Sequence, residues 1–218
     1  DFIAAEDTRH SRKLLNHYDV KTPLISYHQH NEKQRAEELI TRLKKGEKGA
    51  LISDAGMPGI SDPGKILIKR CLEENINLDV LPGPNAALTA LILSGMPADS
   101  FIFLGFLPPK KSDRNKVLKK AAFLSYTLIL YEAPHKLART LQEILETMGN
   151  RRAVVTRELT KVHQTVYRAT VSELLEEFKA TPPKGECCLI LEPYRQENEP
   201  GDPSAWLADL DKIIKEGK

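Results

Sequence analysis

Two loops rich in glycine and proline hold the residues of this chain that are best suited to binding a ligand. The first, "SDAGMPGISDPG" at 53–64, follows a short apolar run and precedes an amphipathic segment. The second, "LPGPNAALTAL" at 81–91, follows a predicted strand and opens an apolar helix with Asn85 as its cap. Glycine lets a ligand approach the backbone closely. Because ligands of open α/β sheets bind at the carboxyl ends of strands, the two loops are predicted to form one crevice.

The charge of the first loop indicates which ligand it suits. It carries Asp54 and has no Lys or Arg before Lys65. A phosphate cradle normally adds a cation, so a cationic or hydroxyl-rich ligand is favoured. Asp62 followed by Pro63 is typical of a helix start, with Asp as cap and Pro in the first helical position. A tight turn before a well-capped helix is the alternative interpretation.

A third polar segment, "AAEDTRHSRKLLNHY" at 4–18, places Glu6 and Asp7 at the end of a predicted strand. Thr8 is the predicted cap of the helix that follows. The first turns of that helix carry three cations, at Arg9, Arg12 and Lys13. Early cations oppose the helix dipole, so helix propensity does not explain them. They indicate either a solvated face or an anionic partner.

His28 and His30 lie at the end of another predicted strand, in "SYHQHNE". Two such histidines are potential metal ligands. No cysteine and no recognisable ligand spacing accompany them. The sequence therefore predicts no metal site.

The segment "PPKKSDRNKVLKK" at 108–120 has six Lys or Arg residues against one Asp. It includes Lys110, Lys111 and Arg114. It is either a solvated linker or the source of the phosphate contacts of an RNA-binding protein. Few aromatic residues interleave with the cations, which argues against a platform that stacks single-stranded bases.

Two apolar segments in the second half, "LILYEAPHKL" at 128–137 and "AVVTRELTK" at 153–161, end in charged residues. The residues concerned are Glu132, His135, Arg157, Glu158 and Lys161. Polar groups clustered at strand ends are candidates for a functional site. An ion-pair network between domains is the alternative.

Short β-rich runs alternate with longer segments of helical period, which indicates an α/β fold with parallel strands. Strands are predicted at 2–5, 24–27, 50–53, 78–81, 101–104, 127–131, 153–157, 164–169 and 186–191. Helices are predicted at 9–17, 32–45, 63–75, 86–94, 114–124, 135–148 and 171–180. The linker divides the chain into an N-terminal α/β domain at 1–107 and a mixed α/β domain at 108–193. A polar loop and the start of a helical region are predicted at 194–218.

Composition limits the class of protein. The chain has 218 residues, of which 41% are hydrophobic and 28% charged, with a net charge of +2. Three cysteines form no disulfide framework, which favours a reducing, cytoplasmic location. No apolar run approaches the ~18–20 residues that span a bilayer, so no membrane association is predicted. The chain begins "DFIAAEDT", inside a predicted strand, and we expect an element to precede it.

Seven motifs occur here in the order found in one family: "AAEDTRHSRKLL", "HNE", "SDAGMPGISDPG", "LPGPNAALTAL", "GFLPPK", "YEAPHKL" and "TRELTK". Together they make residues 1–192 resemble the ribosomal RNA small subunit methyltransferase I family of the tetrapyrrole methylase-like superfamily. The resemblance implies two α/β domains, with S-adenosylmethionine bound in the cleft between them. It implies 2′-O-methylation of a cytidine in small-subunit (16S) rRNA, with rRNA or the 30S subunit as partner and a homodimer as the usual assembly.

The resemblance also implies which positions touch the cofactor. They are Asp54, Gly56, Met57, Pro58, Ile60, Asn85, Ala86, Glu132, Leu159 and Glu186. The chain departs from the family pattern at Gln164, where Glu is common, and at Ala169, where Gly is common. The family's first strand and its "TPIGN"-type loop are absent.

No motif names the base that would take a proton from the ribose hydroxyl. The candidates, chosen for their places at strand ends, are Glu6, Asp7, His28, Glu132 and Glu158. The predicted phosphate contacts are Arg9, Arg12, Lys13, Lys110, Lys111, Arg114, Arg157 and Lys161. Two other functions remain open from the sequence: methylation of a tetrapyrrole or other small molecule, and rRNA binding without catalysis.

Overall fold

The computed structural model describes residues 1–195, which form two sheets flanked by helices. The strands are β1 (Phe2–Ala5), β2 (Leu24–Ser26), β3 (Gly49–Ile52), β4 (Phe101–Phe106), β5 (Thr127–Glu132), β6 (Arg152–Arg157), β7 (Thr165–Thr170) and β8 (Cys187–Leu191). The helices are α1 (Thr8–His17), α2 (Glu32–Lys44), α3 (Lys65–Glu73), α4 (Ala86–Ser94), α5 (Lys111–Ala121), α6 (Pro134–Met148) and α7 (Val171–Ala180). The α/β class predicted from the sequence is confirmed.

The first sheet is parallel and has the order β2-β1-β3. All four residues of the central strand β1 are buried, as expected for a strand covered on both faces. Tyr27, Leu39 and Leu67 pack in the core between this sheet and helices α2 and α3. The hydroxyl of Tyr27 accepts a hydrogen bond from the amide of Leu67 at 3.2 Å, so this buried polar group is satisfied.

The second sheet is mixed and has the order β4-β5-β8-β6-β7. Strands β4 and β5 are parallel, whereas β8 runs antiparallel to both β5 and β6. Helices α5, α6 and α7 cover one face with the larger core. Helix α4 covers the other face, where its buried residues meet Ile129, Val154 and Ile190.

Strand β4 and helix α4 belong with the second sheet, although the sequence grouped both with the first. Strand β4 pairs with β5, and α4 packs on the second sheet. The domain limits at 107/108 and 193/194 remain a prediction.

The predicted strand at 78–81 is wrong, because no strand forms there. The segment has no ladder partner among the described residues, and a strand is defined by the hydrogen bonds of its ladder. Its side chains are exposed, and Leu81 keeps 85% of its surface.

Two predicted helix caps are corrected. The cap of α1 is Asp7, whose carboxylate accepts hydrogen bonds from the amides of Arg9 and His10, and Thr8 is the first helical residue. Helix α3 begins at Lys65 with Gly64 as its cap, so Asp62 does not cap it. The carbonyl of Pro63 accepts from the amide of Gly59 at 3.2 Å, which keeps Pro63 in the loop.

Helix α4, an apolar helix as predicted, is buried on one face only. Ala87, Ala90 and Leu91 are buried, but Leu88 and Ile92 are exposed, with 72% of the Ile92 surface free. The cap at Asn85 is confirmed, since its side chain accepts from the amide of Leu88.

The predicted C-terminal helical region lies outside the described residues, apart from the exit loop at 194–195. In the part that is described, no helix is long and apolar enough to cross a bilayer. Residues 1–195 contain no group of three or more His, Cys, Asp or Glu side chains that could hold a metal ion.

Candidate active site

The two glycine-rich loops lie against each other. A Cβ added to Gly83 would lie 3.5 Å from Cγ of Met57, and one added to Gly56 would lie 3.5 Å from the carbonyl oxygen of Pro84. Gly56 also has a φ of +81°, a conformation that side chains rarely adopt. The loops therefore form adjoining walls of one crevice, although the second loop follows no strand and only the first lies at the carboxyl end of one.

The end of strand β4 forms a third wall. A register shift between Phe103 and Gly105 bends the strand. Gly105 has a φ of +62°, and a Cβ there would lie 3.5 Å from the hydroxyl oxygen of Ser61. The first loop thus contacts the second sheet directly, and the crevice lies between the two sheets.

Tyr131 fixes the second loop to the second sheet. Its hydroxyl accepts a hydrogen bond from the amide of Ala87, the second residue of α4, at 3.1 Å. Burial raises the pKa of Tyr131, so the hydroxyl stays neutral. The cap residue Asn85 and the start of α4 are held at the crevice by this contact.

Glu6 and Asp7 follow β1, and Asp54 follows β3, so all three meet at one edge of the first sheet. The amide of Asp7 donates to the Asp54 carboxylate at 3.2 Å. The carboxylate of Asp7 accepts from both the amide and the guanidinium of Arg9, which holds its pKa well below the usual range. Asp7 is therefore committed to capping α1 and is a poor base.

Glu132 is buried, with 6% of its surface exposed. One carboxylate oxygen accepts from the hydroxyl of Thr140 at 2.6 Å and the other from the amide of Ala133 at 2.9 Å. Successive side chains of a strand point to opposite faces, so Glu132 faces away from the side where Tyr131 meets α4. The structure does not bring this carboxylate together with the two loops.

Glu158 and Lys161 form an ion-pair network with Glu186. The Lys161 ammonium lies 3.1 Å from a carboxylate oxygen of each glutamate. Glu158 also accepts from the amide of Glu186 at 2.9 Å, and this bond is the main reason why its pKa is lowered. Gly185 leaves room for the Glu158 side chain, since a Cβ there would lie 2.2 Å from its carboxylate. These residues form an ion-pair network within the second predicted domain, and not the network between domains that the sequence left as the alternative.

Two predicted phosphate contacts have structural partners instead. Arg114 keeps 3% of its surface, and its guanidinium donates to Glu143 at 2.5 and 2.6 Å. It also donates to the carbonyls of Pro108 and Pro109. Arg157 donates to the carbonyls of Lys184 and His163. Arg114 is buried and is removed from the set of phosphate contacts, because the linker carbonyls and Glu143 use its donors.

Other cations remain exposed. Arg9, Arg12 and Lys13 lie with Thr8 and Asn16 around an open groove of about 370 Å³ on α1. Lys110 and Lys111 are exposed at the start of α5. These residues are accessible to a phosphate backbone.

His28 lies two residues beyond the end of β2 and donates its amide to the side chain of Asn31 at 2.8 Å. Its ring lies edge-on to that of His30, with 5.9 Å between the ring centroids. The ring atom Nδ1 is buried without a hydrogen-bond partner in the described part of the chain. With no third ligand nearby in residues 1–195, this pair has no metal geometry.

Asp62 of the first loop has an acidic environment that the sequence did not reveal. It is half-buried, and its pKa is raised to about 6, chiefly by burial and then by Glu6, Asp54 and Glu186. The dipeptide Asp-Pro was interpreted as a helix start. The signal that pointed elsewhere was the absence of any cation before Lys65, which leaves this carboxylate without a local counter-ion.

The remaining residues predicted to touch the cofactor lie in or beside the crevice. Gly56, Met57 and Pro58 are in the first loop, and Ile60 beyond them is exposed. Leu159 packs against the cluster beneath α4.

Comparison with known proteins places this geometry in a family. The family model "Tetrapyrrole (Corrin/Porphyrin) Methylases" matches residues 1–175. The chain belongs to this family. Its members are methyltransferases that use S-adenosylmethionine, and S-adenosylmethionine is the cofactor of this protein.

Curated relatives narrow the assignment. The chain is 45% identical over 213 residues to ribosomal RNA small subunit methyltransferase I of Halalkalibacterium halodurans, which covers 98% of this chain and 73% of the relative. It is 46% identical over 201 residues to the protein of the same name from Synechocystis, covering 92% and 72%. A solved uroporphyrin-III C-methyl transferase from Thermus thermophilus, complexed with S-adenyl homocysteine, has the same fold, with a TM-score of 0.57 at 14% identity over 88% of this chain and 97% of that one.

The crevice fits such a cofactor. S-adenosylmethionine carries a sulfonium, an ammonium and ribose hydroxyls, for which carboxylates are suitable partners. Asp54, Asp62 and Glu186 supply carboxylates at the crevice without an arginine among them, and the glycines at 56 and 83 leave the backbone accessible.

Proposed function

We propose that this protein transfers a methyl group from S-adenosylmethionine to the 2′-hydroxyl of a cytidine in small-subunit (16S) rRNA. The observation that carries the proposal is the high identity to two proteins named ribosomal RNA small subunit methyltransferase I, over nearly the whole chain. The charge distribution supports it, since an acidic crevice for a cationic cofactor lies beside exposed cations suited to RNA.

The cofactor is held by the crevice between the two sheets. Its site comprises Asp54, Gly56, Met57, Pro58, Ile60, Asn85, Ala86, Leu159 and Glu186. The contact between the two glycine-rich loops supports this set. Glu132 would stabilise the second sheet from the opposite face, through its hydrogen bonds to Thr140 and Ala133.

Methyl transfer depends mainly on alignment of the ribose oxygen, the methyl group and the sulfur, and it needs no covalent bond to the protein. When bound, S-adenosylmethionine supplies an electrophilic methyl group on a positively charged sulfur. The protein must hold the ribose oxygen in line with that methyl group and keep water out of the crevice. The ribose hydroxyl is a weak acid, so a side chain that accepts its proton would accelerate the reaction.

The contacts of three of the five bases considered from the sequence argue against them. Asp7 caps α1, Glu132 is buried behind β5, and Glu158 is paired with Lys161. Glu6 lies at the crevice edge after β1, and His28 lies beyond the end of the neighbouring strand β2.

The RNA backbone is contacted by the exposed cations Arg9, Arg12, Lys13, Lys110 and Lys111. Lys161 and Arg157 stand at the opposite side of the crevice, where they organise the loops at 158–163 and 184–186. We also propose that the substrate is the assembled 30S subunit, that the active assembly is a homodimer and that the protein is cytoplasmic.

Transfer of labelled methyl groups to isolated 30S subunits, followed by mapping of the modified nucleotide, tests this function. The expected product carries one new 2′-O-methyl cytidine in 16S rRNA. Methylation of a porphyrin or corrin precursor with none on 30S subunits would refute it. Calorimetry that detects no binding of S-adenosylmethionine would instead support rRNA binding without catalysis.

A further inference from the structure

We propose that Phe106 stacks on the base of the nucleotide whose ribose is methylated, and so positions the 2′-hydroxyl at the crevice. This inference rests on the proposed function and deepens it, because neither the sequence motifs nor the comparisons assign a residue that holds the base. A bulge in β4, a contact with Tyr131 and an exposed ring carry the inference.

The bulge in strand β4 turns Phe106 to the face of the second sheet that α4 covers. Residues three apart in a regular strand point to opposite faces, so Phe103 and Phe106 would be separated. The register shift leaves Leu104 outside the ladder with β5. Phe103 then pairs with Ile129, and Phe106 with Tyr131. Since these two partners are two residues apart and share a face, both phenylalanines come to that face.

Contacts with both glycine-rich loops place Phe106 at the crevice. Its ring meets that of Tyr131 edge-on, with 5.6 Å between the ring centroids. The hydroxyl of Tyr131 accepts from the amide of Ala87 at 3.1 Å, which links Phe106 to the second loop. The preceding residue, Gly105, adjoins the first loop, since a Cβ there would lie 3.5 Å from the hydroxyl oxygen of Ser61.

The ring of Phe106 is open to a ligand, because 58% of the residue's surface is exposed. The exposed aromatic side chains of residues 1–195 are Tyr18, Phe101, Phe106, Phe123 and Tyr126. Phe101 begins β4, Tyr126 precedes β5 and Phe123 follows α5, so these three lie at the other end of the second sheet. Tyr18 follows the last residue of α1, away from the strand end that α1 adjoins. Within the described part of the chain, Phe106 therefore supplies the exposed aromatic surface at the crevice.

An exposed ring beside a site of methyl transfer to RNA suits a nucleobase. Proteins that bind unpaired RNA stack its bases on aromatic side chains. A base is joined to its ribose by a single bond, so a stacked base restricts the position of the ribose oxygen, and the transfer depends on that position. The exposed cations of α1 and α5 suit phosphate groups and do not hold a base. The adenine of S-adenosylmethionine is the other planar group that could use the ring, and the experiment distinguishes the two.

The test compares Phe106→Leu, which keeps an apolar side chain and removes the aromatic face, with Phe106→Tyr, which keeps that face. In single-turnover methylation of 30S subunits, Phe106→Leu should raise the half-saturating concentration of subunits by about 5- to 150-fold. The rate at saturation should change by less than about threefold, since stacking stabilises the bound substrate and the transition state alike. Phe106→Tyr should restore the half-saturating concentration to within about threefold of wild type.

Phe123→Leu is the matched control. Phe123 is also exposed, and its ring also meets a tyrosine edge-on, at 5.2 Å from that of Tyr194. It lies at the far end of the second sheet, so its replacement should leave the half-saturating concentration unchanged. Each leucine variant loses one edge contact with a tyrosine, and the two should lose similar thermal stability. Calorimetry should give the same affinity for S-adenosylmethionine in both variants and in wild type.

An unchanged half-saturating concentration in Phe106→Leu, in an otherwise active protein, would overturn the role of Phe106 alone. A loss of affinity for S-adenosylmethionine as large as the loss for 30S subunits would also overturn it, because the ring would then hold the cofactor or the second loop. Failure of Phe106→Tyr to restore binding would show that packing, and not stacking, is what the ring provides. Wild-type protein that binds S-adenosylmethionine and modifies no nucleotide of 30S subunits would refute the proposed function, and this role with it.

Discussion

At the scale of single residues, the active site depends on positions where only hydrogen fits. Gly185 illustrates this, because its φ is +88° and the Glu158 side chain occupies the space that a Cβ would need. The close packing places the Glu158 carboxylate where it accepts from the amide of Glu186.

Gly185→Ala should therefore be destabilising and should weaken cofactor binding. The left-handed backbone costs about 1 kcal/mol for a residue with a Cβ, and displacement of Glu158 adds to that cost. Chemical denaturation and calorimetry measure the two effects.

Gly46→Ala is the matched control, since Gly46 has a φ of +89° and nothing within 4 Å of an added Cβ. Gly46→Ala should lower the free energy of unfolding only by the cost of the left-handed backbone, and cofactor affinity should be unchanged. Equal destabilisation by the two variants would contradict the steric part of this prediction.

At the scale of elements, the segment that joins β4 to α5 is fixed by a buried ion pair. Arg114 of α5 joins Glu143 of α6 and also donates to the carbonyls of Pro108 and Pro109. The hydrogen bond from Arg114 lowers the pKa of Glu143. This contribution to stability is present above the ordinary range of a glutamate and is lost as pH falls through the lowered value.

Glu143→Ala should destabilise the protein by about 3–5 kcal/mol, because it leaves a buried guanidinium without its counter-ion. The double variant Arg114→Met/Glu143→Leu should be less destabilised than Glu143→Ala alone. Urea denaturation of the single and double variants measures the difference. A double variant that loses as much stability as the sum of both single variants would show that the pair is not coupled.

The cap of α4 provides a second prediction for an element. Asn85→Ala removes the acceptor for the amide of Leu88 and should cost about 0.5–2 kcal/mol, whereas Asn85→Asp should cost little. Thermal unfolding of the two variants compares them. Because the same turn adjoins the first loop, Asn85→Ala is also expected to weaken binding of S-adenosylmethionine.

Elements also show why the sequence predicted some features and not others. The period of apolar residues revealed most helices and strands, since burial of one face sets that period. The unpaired segment at 78–81 has the composition of a strand, but composition does not supply a partner for its backbone. The sheet to which β4 belongs depends on pairing with residues after it, which no local pattern encodes.

The same limit applies to the site. The glycine-rich loops could be predicted because glycine marks positions where the backbone adopts a positive φ or approaches another group closely. Arg114 and Arg12 both lie in basic segments, yet Arg114 is buried and Arg12 is exposed. Arg114 is buried with its counter-ion Glu143, which lies 29 positions away in the sequence, so no local pattern could reveal the pairing. The raised pKa of Asp62 depends in part on Glu186, which is distant in the sequence, so it could not be predicted from the sequence either.

At the scale of the whole molecule, charge is divided between two regions. Carboxylates gather in the crevice, and the exposed cations lie on α1 and at the start of α5. Binding of RNA and binding of the cofactor should therefore respond differently to salt.

Affinity for 30S subunits should fall steeply with salt concentration, and Arg12→Gln should reduce the slope of log K against log salt by about one. Lys179→Gln on α7, where Lys179 pairs with Glu176, is the control and should leave the slope unchanged. Filter binding at four or more salt concentrations measures both. An identical slope for Arg12→Gln and wild type would exclude α1 from the RNA interface.

The position of α4 on the second sheet determines where this protein can be divided. A cut at the linker would leave Ile129, Val154 and Ile190 facing water on one half, and it would separate β4 from β5. A cut between α3 and α4 keeps both contacts on one side. Two-fragment complementation should therefore succeed when the chain is opened near residue 77 and yield insoluble halves when it is opened at 107.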